Sequence, residues 1–246
     1  MSKEQALANS QDTGLVSLEQ AKKQLANVQD IFNVDDTVKG VKGRIPQIKI
    51  IHQAQMFAFG EEKSPSFQAI IIHQTPTNAY WEQDFSTSGG GNVPDCFAMD
   101  AMNPQVIGED KKTQAPNCAA CKQNVFGSSG RGKACKNMWR LHLILPGQTL
   151  PKRLTLPPSN LGDIQDFLVQ LRDNNIPSEL AVVEFSLKKD KNKDGIEYSK
   201  IVCKVKGVIT DRAKAMDLKK IKTEFAAAFG QVIDVSEYSN EETEAK

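Results

Sequence analysis

Four cysteines, Cys96, Cys118, Cys121 and Cys135, stand in the spacing C-x21-C-x2-C-x13-C, and thiolates so placed suit a four-coordinate zinc ion. The Cys118-Ala-Ala-Cys121 knuckle brings two sulfurs onto one tetrahedral centre, while Cys96 and Cys135 supply the other two from the flanking chain. Four thiolates leave no open coordination position, so one structural zinc ion is expected. Around these cysteines, the 52 residues from Lys111 to Gly162 contain no Asp or Glu and hold nine cations, on a chain whose formal net charge is only +1. Such polarisation predicts a polyanion-binding face.

Single strands are held by a positive groove along the phosphates and by aromatic rings on which bases stack. The cations of that groove are expected to be Lys111, Lys112, Lys122, Arg131, Lys133, Lys136 and Arg140, with Tyr80, Trp81, Phe126 and Trp139 as stacking residues. Core packing competes for each ring. Strand alternation sets Trp139 and Arg140 on opposite faces, so one of the two is a spectator. Gly127-Ser-Ser-Gly-Arg-Gly-Lys133 either offers backbone amides to phosphates or turns the chain around the metal.

Three enzyme-like patterns fail on their chemistry. Gly127 to Lys133 nearly spells a P-loop, but Ala134 stands where a magnesium-binding hydroxyl is required. Asp190 to Gly195 imitates the start of a calcium loop, with Ile201 where a bidentate Glu is needed. Pro116-Asn-Cys118-Ala-Ala-Cys121 matches half a zinc-deaminase signature, yet neither His52 nor His73 begins H-x-E. With no nucleophile, base or open metal position, a binding protein is expected in place of an enzyme.

The elements that must position these residues are read from periodicity. Residues 1–32 are a polar tail and one amphipathic helix, 33–232 a single domain, and 233–246 an acidic tail. Strands are expected over Ile45 to Phe59 and Ser66 to Tyr80 as a long hairpin, then over Met138 to Leu145, Ala181 to Lys189 and Ile196 to Ile209. A helix capped by Ser159 or Asn160 follows the third strand, and another spans 212–229. The cysteine region, 86–137, is an insertion between strands two and three. The fold class is thus mainly β with helices: an OB-fold-like five-stranded barrel with a zinc-binding insertion and N- and C-terminal helices. Cys203 is a small buried strand residue, and an odd count of five cysteines argues against disulfides. No apolar run is long enough to cross a bilayer, and the polar start Met1-Ser-Lys-Glu-Gln is no signal peptide, so a cytoplasmic location is expected, in the host cell if the chain is phage-encoded.

Pro94-Asp-Cys96, Cys118-x-x-Cys121-x-x-Asn124-x-Phe126-Gly-Ser128 and Gly132-Lys133-x-Cys135-Lys136-Asn137, preceded by Tyr80-Trp81, resemble a pattern of phage and prophage proteins similar to single-stranded-DNA-binding proteins. The resemblance covers about Tyr80 to Asn137. A looser analogy is to phage helix-destabilising proteins, which combine an OB-fold, an inserted zinc subdomain and an acidic tail. The resemblance implies a role in phage-type DNA replication or recombination, with single-stranded DNA, or RNA, as partner and replication or recombination proteins recruited by the tail. The tail Glu241-Glu-Thr-Glu-Ala-Lys246 lacks the apolar tip by which bacterial relatives dock partners. The alternative is a zinc-containing regulatory or interaction protein whose basic loop meets duplex nucleic acid or an acidic protein.

Overall fold

The computed structural model describes residues 45–83, 93–108, 111–191, 195 and 197–230. The chain divides into two compact units, Met1–Arg44 and Ile45–Lys246, and the described residues belong to the second. The expected N-terminal helix, the Ser-Thr-Gly segment from Ser86 to Asn92, and the acidic tail lie outside them.

Nine strands make one sheet: β1 Gln47–Ile51, β2 Met56–Phe59, β3 Glu62–Ser64, β4 Ser66–Tyr80, β5 Cys96–Ala98, β6 Lys136–Ile144, β7 Lys152–Leu156, β8 Ala181–Lys191 and β9 Glu197–Val208. Their order is β3-β2-β1-β7-β6-β4-β8-β9, with β5 paired to β4. Only β1 with β7 is parallel. β4 is the axis: β6 follows one edge from Ile70 to Ala79, while β8 takes the start of the other edge and β5 its end. The β4 end that carries Tyr80 is therefore welded directly to the cysteine insertion.

The sheet curls. Phe67 of β4 meets Phe57 and Phe59 of β2 edge-on, at 4.8 and 5.1 Å, and stacks on Phe185 of β8 at 5.1 Å, although β2 and β8 are far apart in the ladder. Side chains extend the curl. In the turn between β1 and β2, His52 Nδ1 accepts from the Ser199 amide of β9 at 3.2 Å and Gln55 Nε2 donates to Ser199 Oγ at 2.8 Å. The result is a mixed, half-barrel sheet around a core of Ile48, Phe57, Ile71, Leu141, Leu143, Leu154, Leu156, Val183, Phe185 and Ile201.

Helix α1, Leu161–Asp173, lays Ile164, Phe167 and Leu171 on that core. The i, i+3, i+7 spacing of these three residues makes one apolar stripe. Asn160, fully buried, precedes it without any side-chain cap. Instead its Oδ1 accepts from the Ile201 amide at 2.8 Å and its Nδ2 donates to the Ser199 carbonyl at 3.2 Å. One amide side chain thus does for β9 what a neighbouring strand would do. Across the sheet, Ile45, Ile72 and Ile144 meet Leu218 of α2, Arg212–Glu224, and Phe229 of α3, Ala226–Phe229. Alternation sends the consecutive isoleucines Ile71 and Ile72 to opposite cores, and the register irregularity between Ile71 and His73 then keeps His73 on the side of Ile72, where it stacks on Phe229.

Several sequence expectations are corrected. The strand expected from Ile45 to Phe59 is two strands, because His52-Gln-Ala-Gln55 turns, with Gln55 at φ 54°. It makes no long hairpin with β4; β2 turns into β3. β7 was not foreseen, and the five expected strands are nine among the described residues. The last helix is interrupted at Phe225. Cys203 is only half-buried against the core. Among the described residues no helix is long and apolar enough to cross a membrane.

Candidate nucleic-acid interface

The insertion leaves β4 at Tyr80 and returns as β5, which lies back on the end of β4 by pairing Tyr80 with Cys96. The following loops bring Cys118, Cys121 and Cys135 to the same place. Cys118 N donates to Met102 O at 3.0 Å, Cys121 N to Cys118 O at 3.4 Å and Cys135 N to Gln123 O at 2.8 Å. All four thiols are free and buried, and together with Asn78, Tyr80 and Asn124 they line one cavity of ≈ 10 Å³, room for about one water-sized body. Among the described residues, no three His, Cys, Asp or Glu side chains as placed form a group that could hold a metal ion. What the four cysteines share is the wall of that cavity.

Burial pushes the Cys135 thiol up to about 12, with Cys118, Cys121 and Cys96 adding repulsion and Lys133 opposing them. Burial also raises Cys118, against a hydrogen bond from Asn78. Sulfurs that repel one another as thiolates are a donor set that a divalent cation would stabilise. In residue type the four cysteines suit zinc, and they share one cavity wall, but as placed they do not form a metal-holding group.

An asparagine network surrounds the cavity. Asn137 Nδ2 of β6 donates to Asn78 Oδ1 at 2.6 Å and to Asn124 Oδ1 at 2.9 Å. Asn78 Nδ2 donates to Ala101 O at 3.1 Å, and Asn124 Nδ2 to Cys118 O at 3.0 Å. Lys133 Nζ joins it, 2.8 Å from Asn137 Oδ1 and 3.3 Å from Asn124 Oδ1. These contacts tie three cysteine loops to β4 and β6. Sequence reasoning did not assign these asparagines a role; Asn78 follows the polar Gln74, Thr75 and Thr77, and nothing local sets it apart.

The predicted contact residues separate into groups. Lys112, Lys122, Arg131 and Lys136 are exposed. Phe126 is 78% exposed beside Val125 at 57%, and the Lys133 ammonium lies 5.1 Å from its ring centroid. Lys111 Nζ pairs with Asp95 Oδ1 at 2.7 Å. Tyr80 lines the cysteine cavity, and Trp81 packs partly against Ala79, Phe97 and Met99. Burial, then Glu82, Asp95 and the Cys121 thiolate, raises the Tyr80 hydroxyl. Trp139 packs on the main core, whereas Arg140, on the opposite face, is 2% exposed with Nη1 3.8 Å from Met99 Sδ. Alternation separates this pair as expected, and neither is presented to solvent as Phe126 is.

The glycine loop turns on itself. Gly127 N donates to Gly132 O at 2.9 Å, Gly132 N to Ser129 O at 2.9 Å, and Ala134 N to Ser128 Oγ at 2.9 Å. Gly127 and Gly130 have φ 92° and 56°, values that glycine adopts without strain. Four of the loop's amides, those of Gly127, Ser128, Ser129 and Gly132, are spent on the turn. The chain matches no protein-family model, no curated protein and no solved structure.

Proposed function

We propose that this chain is a single-stranded-DNA-binding protein, largely indifferent to sequence, whose OB-type barrel carries a zinc-fixed basic module and serves phage-type replication or recombination. One observation carries the reading: an exposed aromatic ring, Phe126, with an ammonium beside it, in a segment that also presents Lys122, Arg131 and, at the start of β6, Lys136 to solvent. A solitary exposed phenylalanine gains nothing for the fold. Beside phosphate-binding cations it is a stacking platform for a base.

The OB assignment is supported by the curl of the sheet and by α1, which lies between the third long strand's hairpin and β8, as the helix of such a barrel does. Zinc, when bound, would cross-link Cys96, Cys118, Cys121 and Cys135 as thiolates and so hold the loops that follow them. Metal analysis should find about one zinc per chain, lost in Cys118→Ser or Cys121→Ser. Binding is tested by Phe126→Ala, which should weaken a labelled oligo-dT by about 1 to 3 kcal/mol with unchanged thermal stability. Equal affinity of variant and parent would remove the stacking role.

A further inference from the structure

The end of β4 opens on a cleft of ≈ 360 Å³ lined by Trp81, Glu82, Gln83, Val93, Asp95 and Lys111. This is a size used for small-molecule sites. Its floor is fixed by hydrogen bonds. Asp95 N donates to Tyr80 O at 2.8 Å, Glu82 N donates to Asp95 Oδ2 at 2.8 Å, and Lys111 Nζ sits 2.7 Å from Asp95 Oδ1. Burial alone would raise the Asp95 carboxyl, but the Glu82 amide and Lys111 outweigh it and hold it below the usual carboxylate range.

Both Asp95 oxygens are thus occupied with organising the cleft. Glu82 is exposed, and its carboxylate has no hydrogen-bond or ion-pair partner among the described residues. A carboxylate repels phosphate, so beside an aromatic wall it favours the donor edge of a base over the backbone of a strand. Lys111 spends one ammonium proton on Asp95 and keeps others for a neighbouring phosphate.

Building on the single-strand reading, we propose that this cleft takes one nucleobase against Trp81 and reads it through Glu82, favouring guanine. Guanine presents two adjacent donors, N1–H and the N2 amino group, that match a carboxylate bidentately. Cytosine and adenine offer one amino group each. Thymine sets its single N3–H between two carbonyl oxygens, which repel the carboxylate.

The test compares oligo-dT with the same oligomer carrying one central guanine, in parent and Glu82→Gln. A bidentate pair should favour the guanine oligomer by about fivefold or more, and Glu82→Gln should abolish that ratio while leaving oligo-dT binding salt-sensitive. Trp81 and Trp139 are the only tryptophans, so a Trp139→Phe background isolates Trp81 fluorescence, which dGMP should quench at lower concentration than TMP. Oligo-dT binding without a guanine preference, or a preference that survives Glu82→Gln, overturns the cleft and leaves the single-strand reading standing. Selective dGMP quenching without binding of either oligomer keeps the cleft and overturns that reading. Absence of both overturns both.

Discussion

At the scale of the residue, the ring of Phe126 and the amide of Asn78 do opposite kinds of work. Phe126 is exposed, and the work proposed for it is stacking on a base. Asn78 is 4% exposed and has polar partners on three sides: Ala101, Asn137 and Cys118. Asn78→Ala takes one of its two acceptors from the Asn137 amide and removes the side-chain donor to the Ala101 carbonyl, at about 1 to 3 kcal/mol for a buried group left unsatisfied. Denaturant unfolding should show that loss, whereas Phe126→Ala should not. His142 gives a second residue-scale prediction. It is 1% exposed, with His73 at 5.5 Å and Phe229 at 4.4 Å between ring centroids. Burial, followed by repulsion from His73, Arg140 and Arg153, lowers it to about 3. A base whose folded value lies below its unfolded value binds fewer protons when folded. Its contribution is therefore complete above about 6.5 and lost as pH falls from there towards 3. The slope reaches about 1.4 kcal/mol per pH unit. Unfolding measured from pH 7 to pH 4 should be less steep in His142→Phe; an unchanged slope would show that His142 is not the titrating group.

At the scale of the element, Asn160 is where expectation and structure part most instructively. Its position before an apolar periodic run reads as a helix cap, and the helix does begin at Leu161. The side chain is used elsewhere because β9 arrives with an unpaired amide at Ile201 and an unpaired carbonyl at Ser199. A buried backbone group is costlier to leave unpaired than a helix end that water can reach. Asn160→Ala should cost about 2 kcal/mol or more. Asn160→Asp, which keeps the acceptor for Ile201 but loses the donor and buries a charge, should be no better. Equal stability of either variant with the parent would contradict the role assigned to this amide. The elements legible in sequence were those with sustained period: β4, β6, β8, β9 and α1. β7 escaped because Lys152 and Arg153 read as part of a charged window, although alternation sends Leu154 and Leu156 into the core while Arg153 is buried on the other face. Pairing partners escaped because register depends on distant chain: nothing local in Gln47–Ile51 announces a parallel neighbour in Lys152–Leu156.

At the scale of the whole molecule, charge is distributed by partnership as well as by number. Along β8 and β9, Lys189 and Lys191 share Glu197, Lys200 pairs with Asp163 and Lys206 with Glu184. In the cysteine module only Lys111 has a carboxylate partner among the described residues. The acid-free window was legible as composition, and its members Lys122, Arg131 and Lys136 are exposed, as is Phe126. Its buried members, Arg140 and Arg153, could not be told apart from them, because burial is decided by neighbouring strands. Exposed cations without acid partners leave an electrostatic field that phosphates would answer and salt would screen. The most direct measurement is fluorescence anisotropy of zinc-loaded protein with labelled poly-dT and matched duplex across a salt series. Binding should favour the single strand and weaken by about tenfold or more as salt rises fourfold. Equal or stronger binding to duplex, or binding to neither, would contradict the account.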